Sequence, residues 1–473
     1  MNDTTKQPLP VSEEELLLQK QYAAQVRALL GAEGKPHFVY IETFGCQQNE
    51  ADSERLLGMA CEMGYEVTDV SANADLLLVN TCAVREHAEL KALSITGQFK
   101  HLKAKNPQLL IGICGCMVSQ EHRKADITNK YPYIDFLFGT SLVYRFPQIL
   151  YETMSGHCRK LYADEAVQRI AEDLPVRRAS KTQAWVSIMY GCNNFCTYCV
   201  VPYVRGRERS RSAEKIEEEV RALVQGGCRE VTLLGQNVNS YHGADCPDFP
   251  TLLHRICTIE GDFTVRFMTS HPKDASAALI DCMASEKKIA RQFHLPLQSG
   301  SSKTLRRMNR RYTKEQYLAL ADALREKIPD LTLTTDIIVG FPGESEEDFE
   351  QTLDVLQRVR FDSIFSFLYS PRRGTPAADY PDQIDPEVKK DRFRRLTDLQ
   401  NEISLEKNRE MIGKVLPVFV QGQSKTNAEM FSGRTEGNKL VHFKAAPQLI
   451  GKTVPMKITD ATFFALFAEP FDS

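Results

Sequence analysis

The chain has 473 residues, 42% hydrophobic and 26% charged, with a formal net charge of −3. This is ordinary globular composition for about two to four domains. The mild acidity argues against a protein that coats nucleic acid non-specifically, while leaving room for a local basic face. No apolar run reaches the roughly 18 residues of a membrane helix. The N-terminal stretch has neither an export nor a transit pattern, so the expectation is a cytoplasmic chain.

Residues 1–34 are polar and rich in Glu and Gln, and read as a helical or partly ordered extension. Residues 35–150 alternate apolar runs (37–44, 75–80, 108–113, 133–140) with amphipathic stretches, which predicts a doubly wound parallel sheet. Residues 151–177 have little sustained period and read as a linker. Residues 178–410 repeat the strand–helix alternation, with strand candidates at 184–190, 230–235, 264–270, 292–298, 333–341 and 362–370. Each run ends in a polar or Gly/Pro loop, as in a full or partial β/α barrel whose site lies at the C-terminal strand ends. After Gly340-Phe341-Pro342-Gly343 a helix is predicted to start at Ser345, with Asp348 completing a capping box. Residues 411–473 switch to short alternating strands with Gly turns, which predicts a small β-barrel.

Cys192, Cys196 and Cys199 follow the first barrel strand in a C-x₃-C-x₂-C loop. Three thiolates on one loop can hold a [4Fe–4S] cube and leave its fourth iron open. An open iron can chelate the amino and carboxylate groups of S-adenosylmethionine, whose sulfonium bond the reduced cluster can break. The competing reading is a structural zinc knuckle, which wants a fourth ligand that is absent nearby. Tyr198 is a candidate to pack on the cofactor's adenine or to line the core. Gly235, Gln236 and Asn237, and Gly340, Gly343 and Glu344, are candidates for close approach to the cofactor.

Cys46, Cys82 and Cys116, about 35 residues apart, each follow a predicted strand of the first domain and can converge on one sheet edge as a second three-thiolate site. The bland alternative is three independent core cysteines. Cys114 is read as the last strand residue, pointing into the sheet. Cys61, Cys158, Cys228, Cys246, Cys257 and Cys282 have no partner at ligand spacing and read as small buried hydrophobes.

With both trios placed, the sequence resembles the radical S-adenosylmethionine methylthiotransferases from about residue 36 to 470. The phrases TFGCQQNEADSE, CTYCVVPYVRGRERSR, LLGQNVNSY, RFMTSHP, HLPLQSGS and IIVGFPGE are most similar to the MiaB branch. The resemblance implies a partial barrel of the radical type and a C-terminal TRAM barrel. It implies two [4Fe–4S] clusters, an auxiliary one on Cys46, Cys82 and Cys116 and a radical one on Cys192, Cys196 and Cys199. It further implies insertion of a methylthio group at C2 of N6-isopentenyladenosine beside the tRNA anticodon. One S-adenosylmethionine would give the methyl group and another the 5′-deoxyadenosyl radical. A monomer served by an electron donor such as flavodoxin or ferredoxin is expected. One departure is the extra arginine in the loop Tyr369–Thr375.

Two basic stretches are candidate tRNA contacts: Arg205, Arg207 and Arg209 in the first, Arg306, Arg307 and Arg310 in the second. Solvated faces or ion pairs are the alternative for both. In the C-terminal barrel Arg434 and Lys439, with Phe431, His442 and Phe443, suit RNA binding; the alternative is a docking module for the protein's other domains. The rival functions are the same chemistry on threonylcarbamoyl-adenosine or a ribosomal protein, and a non-catalytic iron–sulfur RNA-binding or redox-sensing protein.

Overall fold

The computed structural model describes residues 10–84, 86–156, 159–162, 169–424, 427, 429–444 and 447–471. The first sheet has six strands in the order Tyr65–Val67, His37–Thr43, Leu76–Thr81, Leu110–Gly115, Phe136–Phe138 and Lys160–Leu161, all parallel. Leu76–Thr81 is buried along its whole length, as a parallel strand covered on both faces must be. Leu56, Met59 and Phe146 pack one face, and Ala92, Phe99 and Ile127 the other. The strand order reverses between His37–Thr43 and Leu76–Thr81. At such a switch point the loops leaving neighbouring strands diverge and open a crevice.

Two stretches read as flanking this domain contribute to it. The segment taken as an extension contains the helix Glu13–Gly31, whose Ala23, Val26 and Leu30 lie in the sheet's core. The segment taken as a linker begins inside the helix Phe146–Gly156 and then adds Lys160–Leu161 to the sheet edge. A two-residue strand is too short to show a period. Cys158 and residues 163–168 lie outside the described residues.

In the middle domain the strands Gln183–Ser187, Glu230–Leu234 and Thr264–Phe267 pair in parallel, as do Gln292–His294, Thr332–Val339 and Ser363–Leu368. A parallel bridge between Val265 and Ile289 joins the two runs into one arc. Among the described residues the first and last strands do not pair, so the barrel is partial. The expected capping box of Ser345 and Asp348 starts the helix Glu346–Val359.

The last domain is a closed five-strand barrel in the order Val415–Gln423, Phe431–Thr435, Leu440–Phe443, Leu466–Pro470 and Thr453–Ala461. Phe431 and Phe443, expected as stacking platforms for RNA, instead fill its core, because alternation turns them inward. The barrel is seated at the N-terminal ends of the middle domain's strands. Arg266 donates to the carbonyls of Thr435 (3.3 Å) and Glu436 (2.8 Å). A Cβ on Gly437 would lie 2.1 Å from Thr332 Oγ1, so only glycine fits this contact.

The first and middle domains lock together beside the switch point. Gln48 Nε2 bonds Ser187 Oγ at 2.9 Å, and Arg178 bridges Glu54 and Glu219 at 2.9 and 2.5 Å.

Candidate active site between two cysteine trios

Cys46 is the N-cap of the helix Gln47–Glu62, and Cys82 and Cys116 each follow a strand at or beside the switch point. The chain must turn sharply to reach them. Gly45 adopts φ +135°, and a Cβ there would lie 2.5 Å from the Cβ of Cys82. Gly115 adopts φ +96° against the Thr81 carbonyl. The thiols of Cys46 and Cys82 share a hydrogen bond, which pulls Cys46 down to about 6 and pushes Cys82 up. Burial also raises Cys116, against the pull of Arg205. The Val84 N–H donates to Cys82 Sγ at 3.4 Å, and Asn49 Oδ1 lies 3.4 Å from Cys46 Sγ. Cys114, as expected, is buried in the sheet's core on the strand itself.

The second trio sits on the loop after Gln183–Ser187. A short antiparallel ribbon, Met189–Tyr190 with Arg209–Ser210, folds this loop back on itself. Gly191, at φ +76°, passes so close to Arg207 that a Cβ would lie 2.1 Å from its carbonyl oxygen. Backbone N–H groups of Asn194 and Val201 face the sulfurs of Cys192 and Cys199. Burial pushes these thiols up to about 11 and about 12.

Both trios present soft thiol donors with backbone N–H groups aimed at sulfur, the donor set an iron–sulfur cube takes. Among the described residues no three Cys, His, Asp or Glu side chains close on a single metal ion; a cube binds each thiolate at a separate iron.

The segment 307–310 braces the second loop. Thr197 N–H donates to the Met308 carbonyl (3.1 Å) and its hydroxyl to the Arg307 carbonyl (2.9 Å). Asn309 Nδ2 donates to the carbonyls of Asn194 and Phe195 at 3.0 and 3.1 Å. Arg310 is buried, with Nη1 3.4 Å from Cys196 Sγ and Nη2 2.9 Å from the Pro296 carbonyl. The Gln236 side chain accepts from the Gly191 N–H, tying the second strand's end to the cysteine loop.

Around this loop lie buried polar atoms without a partner among the described residues: Asn237 Oδ1, Ser270 Oγ and His271 Nε2. The other end of Asn237 donates to Asp274 at 2.8 Å. Burial, then Arg310, push His271 far below the usual imidazole range, so it is neutral. Such orphans at strand ends fit a polar ligand above the barrel. Tyr198 meets Phe341 edge-on, with ring centroids 6.5 Å apart, beside the loop of Gly340 and Gly343. Glu344 is occupied within the protein: it accepts from the Gly340 N–H (2.8 Å) and Arg392 (3.0 Å). Burial pushes its carboxyl up to about 7.

The basic stretches divide. Arg205 and Arg310, expected at phosphates, are 5% and 4% exposed and point at sulfur. Arg307 pairs with Asp382 at 2.8 Å, and Arg209 holds the carbonyls of Arg205 and Arg207. Lys439 is engaged by Asp362 (3.0 Å) and Asn408 (2.9 Å), and Arg434 by the Asn438 carbonyl (3.1 Å). Arg205 and Arg310 are sealed within the protein, whereas the Arg307 side chain stays 37% exposed beside Asp382. Arg207 and Arg306 remain exposed, Arg207 over the Phe195 ring. Asn49 and Asp52 went unnoticed in the sequence, although their spacing after Cys46 places them within two helical turns of it.

Three family models match: the radical SAM superfamily over residues 186–356, the uncharacterized protein family UPF0004 over 38–139, and the TRAM domain over 409–471. A tRNA-2-methylthio-N(6)-dimethylallyladenosine synthase of Thermoanaerobacter sp. (strain X514) is 50% identical over 462 residues, covering 97% of this chain and 98% of the relative. Another, of Acetivibrio thermocellus, is 49% identical over 463 residues, covering 96% of each. Among solved structures, the radical S-adenosylmethionine methyltransferase TsrM of Kitasatospora setae shares the fold, with TM-score 0.53 at 13% identity over 73% of this chain and 77% of that one. The cobalamin-dependent radical enzyme OxsB superposes with TM-score 0.50 at 13% identity over 78% of this chain, which spans 56% of OxsB. With its parallel sheet, partial barrel and terminal five-strand barrel, the chain belongs to the radical S-adenosylmethionine tRNA methylthiotransferases, in the family of the tRNA-2-methylthio-N(6)-dimethylallyladenosine synthases.

Proposed function

We infer that this enzyme installs a methylthio group at C2 of the adenine in N6-isopentenyladenosine beside the anticodon of tRNA. The supporting observation is the arrangement of two cysteine trios on adjoining domains, joined by one helical turn, Val201–Val204. Cys199 stands two residues before that turn, and Arg205, whose Nε lies 3.1 Å from Cys116 Sγ, follows it directly. A reaction that places sulfur on an unreactive C–H carbon needs its sulfur source and its hydrogen abstractor close together.

On this reading Cys192, Cys196 and Cys199 hold the radical cluster, and Cys46, Cys82 and Cys116 an auxiliary one. When bound, these groups and two molecules of S-adenosylmethionine supply the radical that activates the C–H bond and the methyl group that ends on sulfur.

The protein's own residues shape the space between. Ala83, Val200 and Val204 pack around Cys116 and form an apolar cover between the trios, which keeps water from a reactive intermediate. Asn237, Ser270 and His271 offer unpaired polar atoms to the cofactor or substrate. Tyr198 and the loop of Gly340 and Gly343 wall the other side. Arg207, Phe195 and Arg306 give the mouth exposed cations and an aromatic face for the anticodon loop. The enzyme acts as a monomer in the cytoplasm, supplied with electrons by a flavodoxin or ferredoxin.

Nucleoside analysis of tRNA from a strain lacking this protein tests the reading. The isopentenyl nucleoside should accumulate without its methylthio group, and expression of the chain should restore it. Unchanged methylthio content would end the assignment.

A further inference from the structure

Arg205 belongs to the middle domain by chain and to the first domain by contact. Its Nε lies 3.1 Å from Cys116 Sγ, and its Nη2 lies 2.9 Å from Asp52 Oδ2 and 3.4 Å from Asn49 Oδ1. Arg205 is 5% exposed and Asp52 6%. A buried guanidinium is tolerated only with compensating negative charge and satisfied donors. Asp52 provides this incompletely, because its Oδ1 is shared with Arg55 at 3.4 Å and Gln48 at 3.1 Å. Two arginines therefore draw on one carboxylate. The other acidic groups that Arg205 faces are the thiols of Cys116 and Cys46. The site is balanced when the cysteines carry negative charge, as they do when bound to iron.

We propose that Arg205 is a positioning residue for the auxiliary iron–sulfur group: it donates to the Cys116 thiolate, supplies its counter-charge from the opposite domain, and raises that group's reduction potential. This rests on the reading that Cys46, Cys82 and Cys116 hold a cluster. One-electron reduction adds a negative charge, and a guanidinium at a ligand sulfur stabilises the more negative state. Its fork also spans Cys116 and Asp52 together, which an ammonium cannot reproduce.

The test uses the full-length chain with Cys192, Cys196 and Cys199 changed to Ala, reconstituted anaerobically with iron and sulfide, so that only the first trio takes a cluster. Its midpoint potential is followed by electron paramagnetic resonance during a redox titration. R205Q should retain iron and sulfide while the midpoint falls by about 59 mV or more, a tenfold change in the reduced-to-oxidised ratio. R205K should fall between R205Q and the parent. D52N removes the competing carboxylate and should move the midpoint the other way, upward. Opposite signs from two partners of one contact do not arise from loosened packing. An unchanged midpoint in R205Q with full cluster content overturns the proposal. If R205Q does not hold a cluster, R205K decides: a midpoint below the parent's supports the proposal, and an equal or higher one overturns it. A parent chain that takes up no iron refutes the underlying cluster assignment, a result separable from either outcome.

Discussion

Arg310 Nη1 lies 3.4 Å from Cys196 Sγ, so a guanidinium from a conspicuously basic stretch is sealed beneath the loop of three cysteines. The same group holds the Pro296 carbonyl and the Tyr312 hydroxyl. R310A removes both bonds, while the Tyr312 hydroxyl still donates to the carbonyls of Leu297 (2.7 Å) and Pro296 (3.2 Å), so the cost is about 0.5–1.5 kcal/mol for each bond lost. We expect R310A to have a lower melting temperature and a second-trio iron content below that of R310K. Iron analysis and 5′-deoxyadenosine formation check this.

Exposure separates the arginines that can meet tRNA from those that cannot. R207A and R306A should weaken tRNA binding about equally across tRNA sequences and flatten its dependence on salt, because each removes one phosphate-range cation. Affinity measured at several salt concentrations decides this; parallel salt slopes for R207A, R306A and the parent would remove both residues from the interface.

The two trios should fail independently. C192A is expected to lose 5′-deoxyadenosine formation while keeping about half the iron of a chain with two four-iron clusters. C46A is expected to cleave the cofactor but make no methylthio product. Iron that drops to nothing in C192A, or methylthio product from C46A, contradicts the division of labour.

Glu344 makes stability depend on pH in an unusual direction. Burial raises its carboxyl from 4.5 to about 7 in the fold. The folded chain then binds this proton more tightly than the unfolded one, so the contribution is fully present below pH 4.5 and is lost as pH rises through about 7. The loss amounts to about 3 kcal/mol at most. E344Q carries a neutral side chain at the same place, apart from a constant offset for the contact with Arg392. Its melting temperature should gain on the parent as pH rises from about 5 to 8. A constant difference across that range would mean that the carboxyl is ionised in the fold throughout.

Lys439 carries an ion pair from the C-terminal barrel to Asp362 at 3.0 Å, but Lys407 holds the same carboxylate at 2.8 Å. K439M therefore leaves Asp362 partnered and should cost about 1–3 kcal/mol, below the range for a fully orphaned buried charge. Limited proteolysis near residues 410–414 should accelerate in K439M; unchanged cleavage would show that the barrel's remaining contacts, among them those of Arg266 and Asn408, suffice to seat it.

The local pattern of the sequence determined much of this protein. Alternation and turn residues placed the six strands of the partial barrel, the closed terminal barrel and the capping box at Ser345, because these depend on residues close in the chain. The spacing Cys192, Cys196, Cys199 marks one loop for the same reason. Cys46, Cys82 and Cys116 were legible as a group because each follows a strand and parallel strands end on one edge. Tertiary structure alone decided which way the cations face. Arg205 and Arg207 stand two residues apart in one basic run, yet one is buried against Cys116 and the other lies in solvent. That difference is set by Asp52 and Cys116, which come from a separate domain. The two-residue strand Lys160–Leu161 and the raised carboxyl of Glu344 were hidden likewise. A period needs length, and desolvation exists only once distant segments have packed around a group.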